Sequence, residues 1–275
     1  MSATTQRKPQ SAKQAAHQAA DSKPIEWMAR AGLASRGVIW FAIGALALAV
    51  ALGKNKEADR QGALRTIADK PFGHTVLWVL AIGFTCYALW RFVEAVGGNR
   101  DDEGAKRVAK SLGCVARGAL YGFFAVSTVR FLTSGSGGHG DNAKPMTARV
   151  MAHSGGQTIV GIVGLCILIG GLAIAFRGVR AKFLKLIRPL GEPMRRITLV
   201  VGRIGLVGRG LVIAYVGYFI LHAAWTFDPK QAKGLDQSLK TLAAQPYGQW
   251  LLATAALSLI SYALWSFIEA TYRKV

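Results

Sequence analysis

Hydrophobic residues are collected in six long runs, which polar and basic stretches separate. Each run has about 20 residues or slightly more, the length that a helix needs to cross ~30 Å of hydrocarbon. None alternates between apolar and polar residues as a membrane barrel strand does. The pattern predicts an all-α polytopic membrane protein with six transmembrane helices, at roughly Gly32–Leu52, Gly73–Val96, Leu112–Leu132, Gln157–Phe176, Ile204–Phe227 and Gly248–Ala270.

Two motifs divide these six runs into three repeats. The even run that ends with Tyr87–Ala95, YALWRFVEA, has a near copy in Tyr262–Ala270, YALWSFIEA, and the odd runs open with GxxxRG at Gly32, Gly113 and Gly205. Such self-similarity indicates repeated units. Because each unit holds two spans, all three units point the same way and are related by an axis near the membrane normal. The predicted organisation is a disordered tail (1–26), repeat one (27–98), repeat two (107–178), a basic linker (179–199) and repeat three (200–272).

Charge supports a membrane location and suggests an orientation. The chain has 275 residues, is 52% hydrophobic and carries a net charge of +20. Its basic residues lie between the apolar runs, so we expect no nucleic-acid partner. About two thirds of the 34 Lys and Arg residues fall on the side of the tail, the second and fourth loops and the C-terminus, which the positive-inside rule makes cytoplasmic. No signal peptide is recognisable in the polar N-terminal stretch.

The fourth loop, 179–199, has a helical pattern of its own. Basic residues alternate there with apolar residues at helical spacing, until Pro189 and Pro193. Two interpretations stay open: an amphipathic helix that binds anionic lipid head groups, or a plain basic linker. The apolar positions are Val179, Phe183, Leu186, Ile187 and Leu190.

Taken together, the GxxxRG and YALW-R/S-F-V/I-EA motifs resemble the bacterial domain-of-unknown-function 1206 family. The resemblance covers roughly Trp27 to Tyr272 and implies a six-helix protein of the bacterial plasma membrane, built from three two-helix repeats. The middle repeat departs from the pattern, because Gly170–Arg177 replaces the aromatic motif and Arg177 stands where Glu would. The family name implies no activity or substrate, so no catalytic residue is carried over.

Five charged residues within the apolar runs are the candidate functional residues. Arg36, Arg117 and Arg209 follow the start of the odd helices, and Glu94 and Glu269 lie near the ends of the even ones. Because a charge toward the bilayer centre costs roughly 2.5–3.5 kcal/mol on insertion scales, we predict ion pairs Arg36–Glu94 and Arg209–Glu269, with Arg117 as the repeat-related arginine. Such pairs would lock the repeats or relay protons or ions; unpaired arginines would instead snorkel to the interface.

Small residues follow these arginines at spacings of four and seven. A stripe of this kind lets membrane helices approach closely, and the alternative is a water-lined path. The stripe residues are Gly37, Gly118, Gly122, Gly210 and Gly217.

The sequence favours no catalytic role. It contains no P-loop, HExxH or GxSxG motif, and its three cysteines lack metal-ligand spacing, so we expect no enzyme activity, metal or cofactor. Two functions remain: a non-enzymatic structural or interaction protein, or a small-solute or ion transporter with a site near the repeat interface. The lipid bilayer is the one predicted partner, and protein partners are not identified.

Overall fold

Six long helices dominate the computed structural model, which describes residues 23–54, 58, 60–97, 104–134, 143–226, 228, 231–233 and 235–273. All six are long and apolar enough to cross a membrane, which confirms the predicted all-α class. They are α1 (Lys23–Ala51), α3 (Gly73–Gly97), α4 (Ala105–Ser134), α6 (Gly156–Val179), α7 (Glu192–Trp225) and α9 (Gly248–Tyr272).

The first spanning helix of each repeat, α1, α4 or α7, begins earlier than its apolar run. Helix α1 begins at Lys23, inside the range 1–26 that the sequence assigned to a disordered tail, and residues 1–22 lie outside the described part of the chain. Helix α7 begins at Glu192, inside the predicted linker. Lys, Arg and Glu are good helix formers, so each helix continues past its apolar segment into charged sequence.

Three short helices that were not predicted precede the second spanning helix of each repeat (α3, α6 and α9). They are α2 (Arg60–Ala68), α5 (Ala143–Met151) and α8 (Leu235–Ala243), each of nine residues. Too short to cross a membrane, they lie at one end of the bundle, which we call the short-helix face; the opposite end is the charged face. Asp236 of α8 accepts a hydrogen bond from the Ala58 backbone nitrogen at 2.7 Å, so the short-helix face also links repeats one and three.

A tight reversal joins each short helix to its spanning helix. The residue before the spanning helix is left-handed in all three repeats, with φ of 63° at Phe72, 78° at Gly155 and 60° at Tyr247. The next residue is Gly73 in the first repeat, where a Cβ would lie 2.0 Å from the carbonyl oxygen of Ile67. Only glycine fits such an approach, which explains the PFG and PYG sequences at these points.

The spanning helices pack in the order α4–α3–α1–α9–α7–α6. The largest contacts join α1 to α9, α3 to α4 and α6 to α7, and smaller ones join α1 to α3 and α7 to α9. The first spanning helix of each repeat (α1, α4 or α7) is the odd helix and the second (α3, α6 or α9) is the even helix. Each odd helix therefore packs mainly on the even helix of a different repeat. Within the described residues, α4 and α6 touch at most marginally, so the ring that three equal repeats would form is open there. We call this opening the seam.

Two glycines mark the seam. In repeats one and three, the equivalents of Gly113 pack tightly: a Cβ on Gly32 would lie 2.3 Å from Tyr87 Cβ, and one on Gly205 would lie 2.4 Å from the Tyr262 nitrogen. In repeat two, a Cβ on Gly113 would meet only the side chain of Arg117, and one on Gly170 would meet nothing within 4 Å. The middle repeat has lost the contact that the other two make.

The fourth loop packs on the protein rather than forming the possible amphipathic helix. Its regular part is a five-residue 3-10 helix, Lys182–Leu186, which follows Ala181 in a left-handed conformation (φ 49°). Phe183 is buried with its ring 4.6 Å from that of Trp265, and the Arg188 nitrogen donates to the Tyr272 carbonyl at 2.8 Å. The idea of a helix with its apolar side in lipid is wrong for Phe183, because the bundle itself covers that side chain.

Candidate functional site

A network of buried charges lies toward the charged face, where α1, α3 and α9 meet. Its first member is Arg36 of α1, of which 6% is exposed. Arg36 Nη2 donates to Glu269 Oε2 at 2.6 Å, and its Nε donates to Ser266 Oγ at 3.2 Å. The guanidinium carbon also lies 5.9 Å from the ring centre of Tyr87 and 5.4 Å from that of Tyr262. A cation from repeat one is thus held mainly by groups of repeat three.

Glu269 has a cation on each carboxylate oxygen. Oε2 accepts from Arg36, and Oε1 accepts from Arg273, one turn further along the chain. Only 6% of the side chain is exposed. A buried carboxylate is stable when its charge is matched and its oxygens are hydrogen-bonded, and Glu269 meets both conditions.

Glu94 belongs to the same network through Arg273. Arg91 Nη1 lies 2.5 Å from Glu94 Oε2, and Arg273 Nη2 lies 3.6 Å from its Oε1. The thiol of Cys114 on α4 donates to Oε2 at 3.6 Å. Arg273 therefore stands between the two acids, Glu94 and Glu269, and joins α3 to α9.

Two tyrosines and a tryptophan surround these cations. Arg91 Nη2 donates to the Tyr87 hydroxyl at 2.7 Å. Two guanidinium groups lie close to Trp90, with the guanidinium carbon of Arg91 4.3 Å from its ring centre and that of Arg273 4.5 Å away. Aromatic faces attract cations, more strongly where water is excluded, so the YALW motif supplies the environment that keeps the arginines inside the bundle.

Arg209 adjoins this network at Tyr262 but contacts neither of its acids. Its Nη1 donates to the Tyr262 hydroxyl at 2.8 Å, and its guanidinium carbon lies 4.3 Å from the ring centre of Tyr262 and 4.8 Å from that of Trp40. Its Nε is buried and has no hydrogen-bond partner. Arg117 also lacks an acid in the described structure, and its Nε donates to the Gly113 carbonyl at 2.7 Å.

The predicted pairs, Arg36 with Glu94 and Arg209 with Glu269, are wrong in their partners. The five residues do lie toward one face, but Arg36 pairs with Glu269, Glu94 pairs with Arg91, and no carboxylate of the described residues pairs with Arg209 or Arg117. The prediction assumed that each odd helix faces the even helix of its own repeat. In the structure each odd helix faces the even helix of the preceding repeat: α4 packs on α3, and α7 packs on α6. Repeat three precedes repeat one around the ring, so α1 packs on α9.

The glycine contacts display this shift by one repeat. A Cβ on Gly37 would lie 2.7 Å from the Phe267 ring, and one on Gly118 would lie 3.0 Å from the Phe92 ring. At the third equivalent position, a Cβ on Gly210 would lie 2.5 Å from the Ala175 nitrogen. Each glycine thus packs on the same motif position of the preceding repeat.

The remaining stripe glycines differ in tightness. A Cβ on Gly217 would lie 2.4 Å from the Leu168 nitrogen, whereas one on Gly122 would lie 3.9 Å from Ala88 Cβ. The helices α6 and α7 therefore approach each other more closely than α3 and α4 do. In repeat two the aromatic motif is absent from α6, and α6 packs on α7 through backbone atoms instead.

The predicted site did not include Arg91 and Arg273, which are central to the network. Arg91 is 4% exposed and Arg273 is 7% exposed. Their signal was their position: Arg91 stands three residues before Glu94, and Arg273 stands four after Glu269. Residues at these spacings are neighbours on one helix face.

The fold and its charge network define a polytopic membrane protein of three two-helix repeats. The domain-of-unknown-function 1206 model matches residues 31–98, 112–181 and 204–273, which correspond to the three repeats. The chain belongs to this family. An uncharacterized protein of Bacillus subtilis (strain 168), YxxB, is 30% identical over 257 residues, which cover 92% of this chain and 93% of that protein. No solved structure matches the chain.

Proposed function

We propose that this chain is a non-enzymatic structural or interaction protein of the bacterial plasma membrane, with both termini in the cytoplasm. Its charged residues serve to hold the repeats together rather than to move a solute. The observation that supports this most directly is the Glu269 carboxylate, which receives Arg36 from repeat one and Arg273 from its own helix. A proton or cation carrier needs a carboxylate that can release its partner and exchange with water. Glu269, buried and doubly paired, has neither property in this arrangement.

The orientation follows from the positive-inside rule. The charged face carries the exposed basic residues of the fourth loop, among them Arg180, Lys182 and Arg188. Because the apolar residues Phe183 and Ile187 of this loop are buried in the protein, its basic residues would bind anionic lipid head groups through charge alone. Each basic residue near an anionic membrane surface contributes about 1 kcal/mol to such binding.

Transport of a small solute or ion is the second candidate, and the seam is the observation that favours it. A solute path needs an opening between helices that water or polar groups can line. Here the two helices of repeat two, α4 and α6, are separated, whereas the equivalent helices of repeats one and three pack together.

Proteoliposomes containing the purified chain distinguish the two candidates. A structural protein gives no proton or cation flux above that of empty liposomes, and Glu269→Gln lowers its thermal stability. A transporter gives a flux that Glu269→Gln abolishes while its stability is nearly unchanged. A flux of this kind would overturn the proposed structural role.

A further inference from the structure

Arg209 is a partly buried cation that lacks the acid its counterpart has. Arg36, at the equivalent position of repeat one, holds Glu269 at 2.6 Å. Within the described residues, Arg209 has a hydrogen bond to the Tyr262 hydroxyl and lies against the rings of Tyr262 and Trp40, and its buried Nε makes no hydrogen bond. Aromatic faces stabilise a cation but do not neutralise it.

The missing acid is explained by the register of α6 against α7. A Cβ on Gly178 of α6 would lie 2.9 Å from Leu206 Cβ, and the nitrogen of Ala175 would lie 2.5 Å from a Cβ on Gly210. Position 177, between these contacts in the chain, lies level with the turn of α7 that includes Arg209, and its side chain is exposed. It is the register position from which Glu269 reaches Arg36, and it holds Arg177. Two cations thus stand where the rest of the bundle places a cation and an acid.

Two arginines without an acid near the end of a membrane segment favour a negative partner. Charges inside transmembrane segments pair with one another or mark the site of a ligand. Within the described structure no carboxylate pairs with Arg177 or Arg209. A negative group between them would replace the carboxylate that repeat two lacks.

We propose that Arg177 and Arg209 bind the phosphate of an anionic phospholipid at the boundary between α6 and α7. Guanidinium groups bind phosphate oxygens in pairs, with charge-assisted hydrogen bonds. Arg177 lies in the last turn of α6, at the helix end where head groups lie. On the same helix Ile169, Leu172 and Phe176 are exposed, and the seam leaves this surface open to acyl chains. The lipid supplies both the anion and the apolar part that such a surface accepts.

The site is independent of whether the chain transports a solute, and lipid-dependent stability tests it. The purified full-length chain is placed in nanodiscs of phosphatidylcholine alone or mixed with phosphatidylglycerol, and its melting temperature is measured. A lipid that binds the folded state specifically raises the melting temperature, here by about 5 °C near saturation. Arg177→Glu supplies the missing acid. We expect this variant to melt higher than the wild type in phosphatidylcholine and to lose most of the response to phosphatidylglycerol.

Arg196→Glu is the matched control. It makes the same change of charge at a side chain that is 83% exposed near the start of α7, so it reports the general attraction of a basic protein to anionic lipid. We expect Arg196→Glu to keep the response to phosphatidylglycerol. Arg177→Gln removes the cation without adding an acid, and it should lose the response without the gain in phosphatidylcholine. The proposal is overturned if both Arg177 variants respond to phosphatidylglycerol as Arg196→Glu does. It is also overturned if inorganic phosphate, at matched ionic strength, stabilises the wild type in phosphatidylcholine as much as phosphatidylglycerol does.

Discussion

Replacing Glu269 by Gln should cause a large loss of stability, because the substitution keeps the shape of the side chain but removes its charge. Arg36 and Arg273 would then face a neutral amide whose nitrogen can only donate, as they do. Breaking a buried ion pair from one side costs about 3–5 kcal/mol. The side chains of Glu269 and Arg36 are 6% and 7% exposed, so water cannot replace the lost partner, and we expect a loss of about 3 kcal/mol or more in the free energy of unfolding.

A double-mutant cycle separates this interaction from a general effect of the substitution. Arg36→Gln combined with Glu269→Gln should recover at least about 1 kcal/mol of the summed losses, since neither charge is then left alone. Arg273 would retain Glu94 at 3.6 Å. The free energies are measured by reversible denaturant unfolding in mixed micelles, with helical circular dichroism as the signal.

Arg209→Gln provides the matched control for the cycle, because it removes an equivalent arginine that does not contact Glu269. Its combination with Glu269→Gln should be additive within about 0.5 kcal/mol. If Arg36 showed no coupling with Glu269, or if Arg209 showed an equal coupling, the pairing of repeat one with repeat three would be refuted.

Three further predictions concern packing, the short-helix face and orientation. Gly171→Ala should destabilise the fold, since its Cβ would lie 2.4 Å from the Ala214 backbone nitrogen, whereas Gly170→Ala should be neutral or stabilising by up to about 1 kcal/mol; equal effects on thermal stability in detergent would contradict the described seam. Asp236→Ala should cost about 1.5–3 kcal/mol, because it removes the charged acceptor of a buried backbone nitrogen, and unfolding measurements that find no loss would show that this link is dispensable. With the native cysteines replaced, a cysteine at Lys70 should react with an impermeant thiol reagent on intact cells and one at Lys182 should not, and the reverse labelling would invert the orientation.

The spans and the threefold repetition were accessible from the sequence because each rests on a local signal. An apolar run of bilayer length has few interpretations, and the two YALW copies identify the even helices of repeats one and three. The short helices had no such signal, since nine residues such as Arg60–Ala68 contain no long apolar run. Their positions become understandable only with the tight reversal before Gly73.

The pairing of charges was not accessible in the same way. Equal repeats contain the same residues whether an odd helix packs on its own even helix or on that of the preceding repeat, so Arg36 could face Glu94 or Glu269. One residue did carry information. Arg177 replaces Glu in repeat two, and with the shifted pairing this leaves Arg209, rather than Arg117, without an acid at its register position. The departure from the repeat was visible, but its meaning depended on knowing which helices touch.

The contact between α1 and α9 has a consequence for the order in which the protein is made. Chains emerge from the ribosome with the N-terminal part first, so α3 and α4, and later α6 and α7, become available close together in time. Arg36 of α1 can pair with Glu269 only after α9 has been made, and α9 is the last helix of the described chain, with 25 residues. Until then the half formed by α1, α3 and α4 has no extensive contact with the half formed by α6 and α7, because α9 is the main link between them. A chain that stops before Gly248 therefore leaves Arg36 without its acid inside the membrane. Incomplete synthesis would thus produce an unstable bundle.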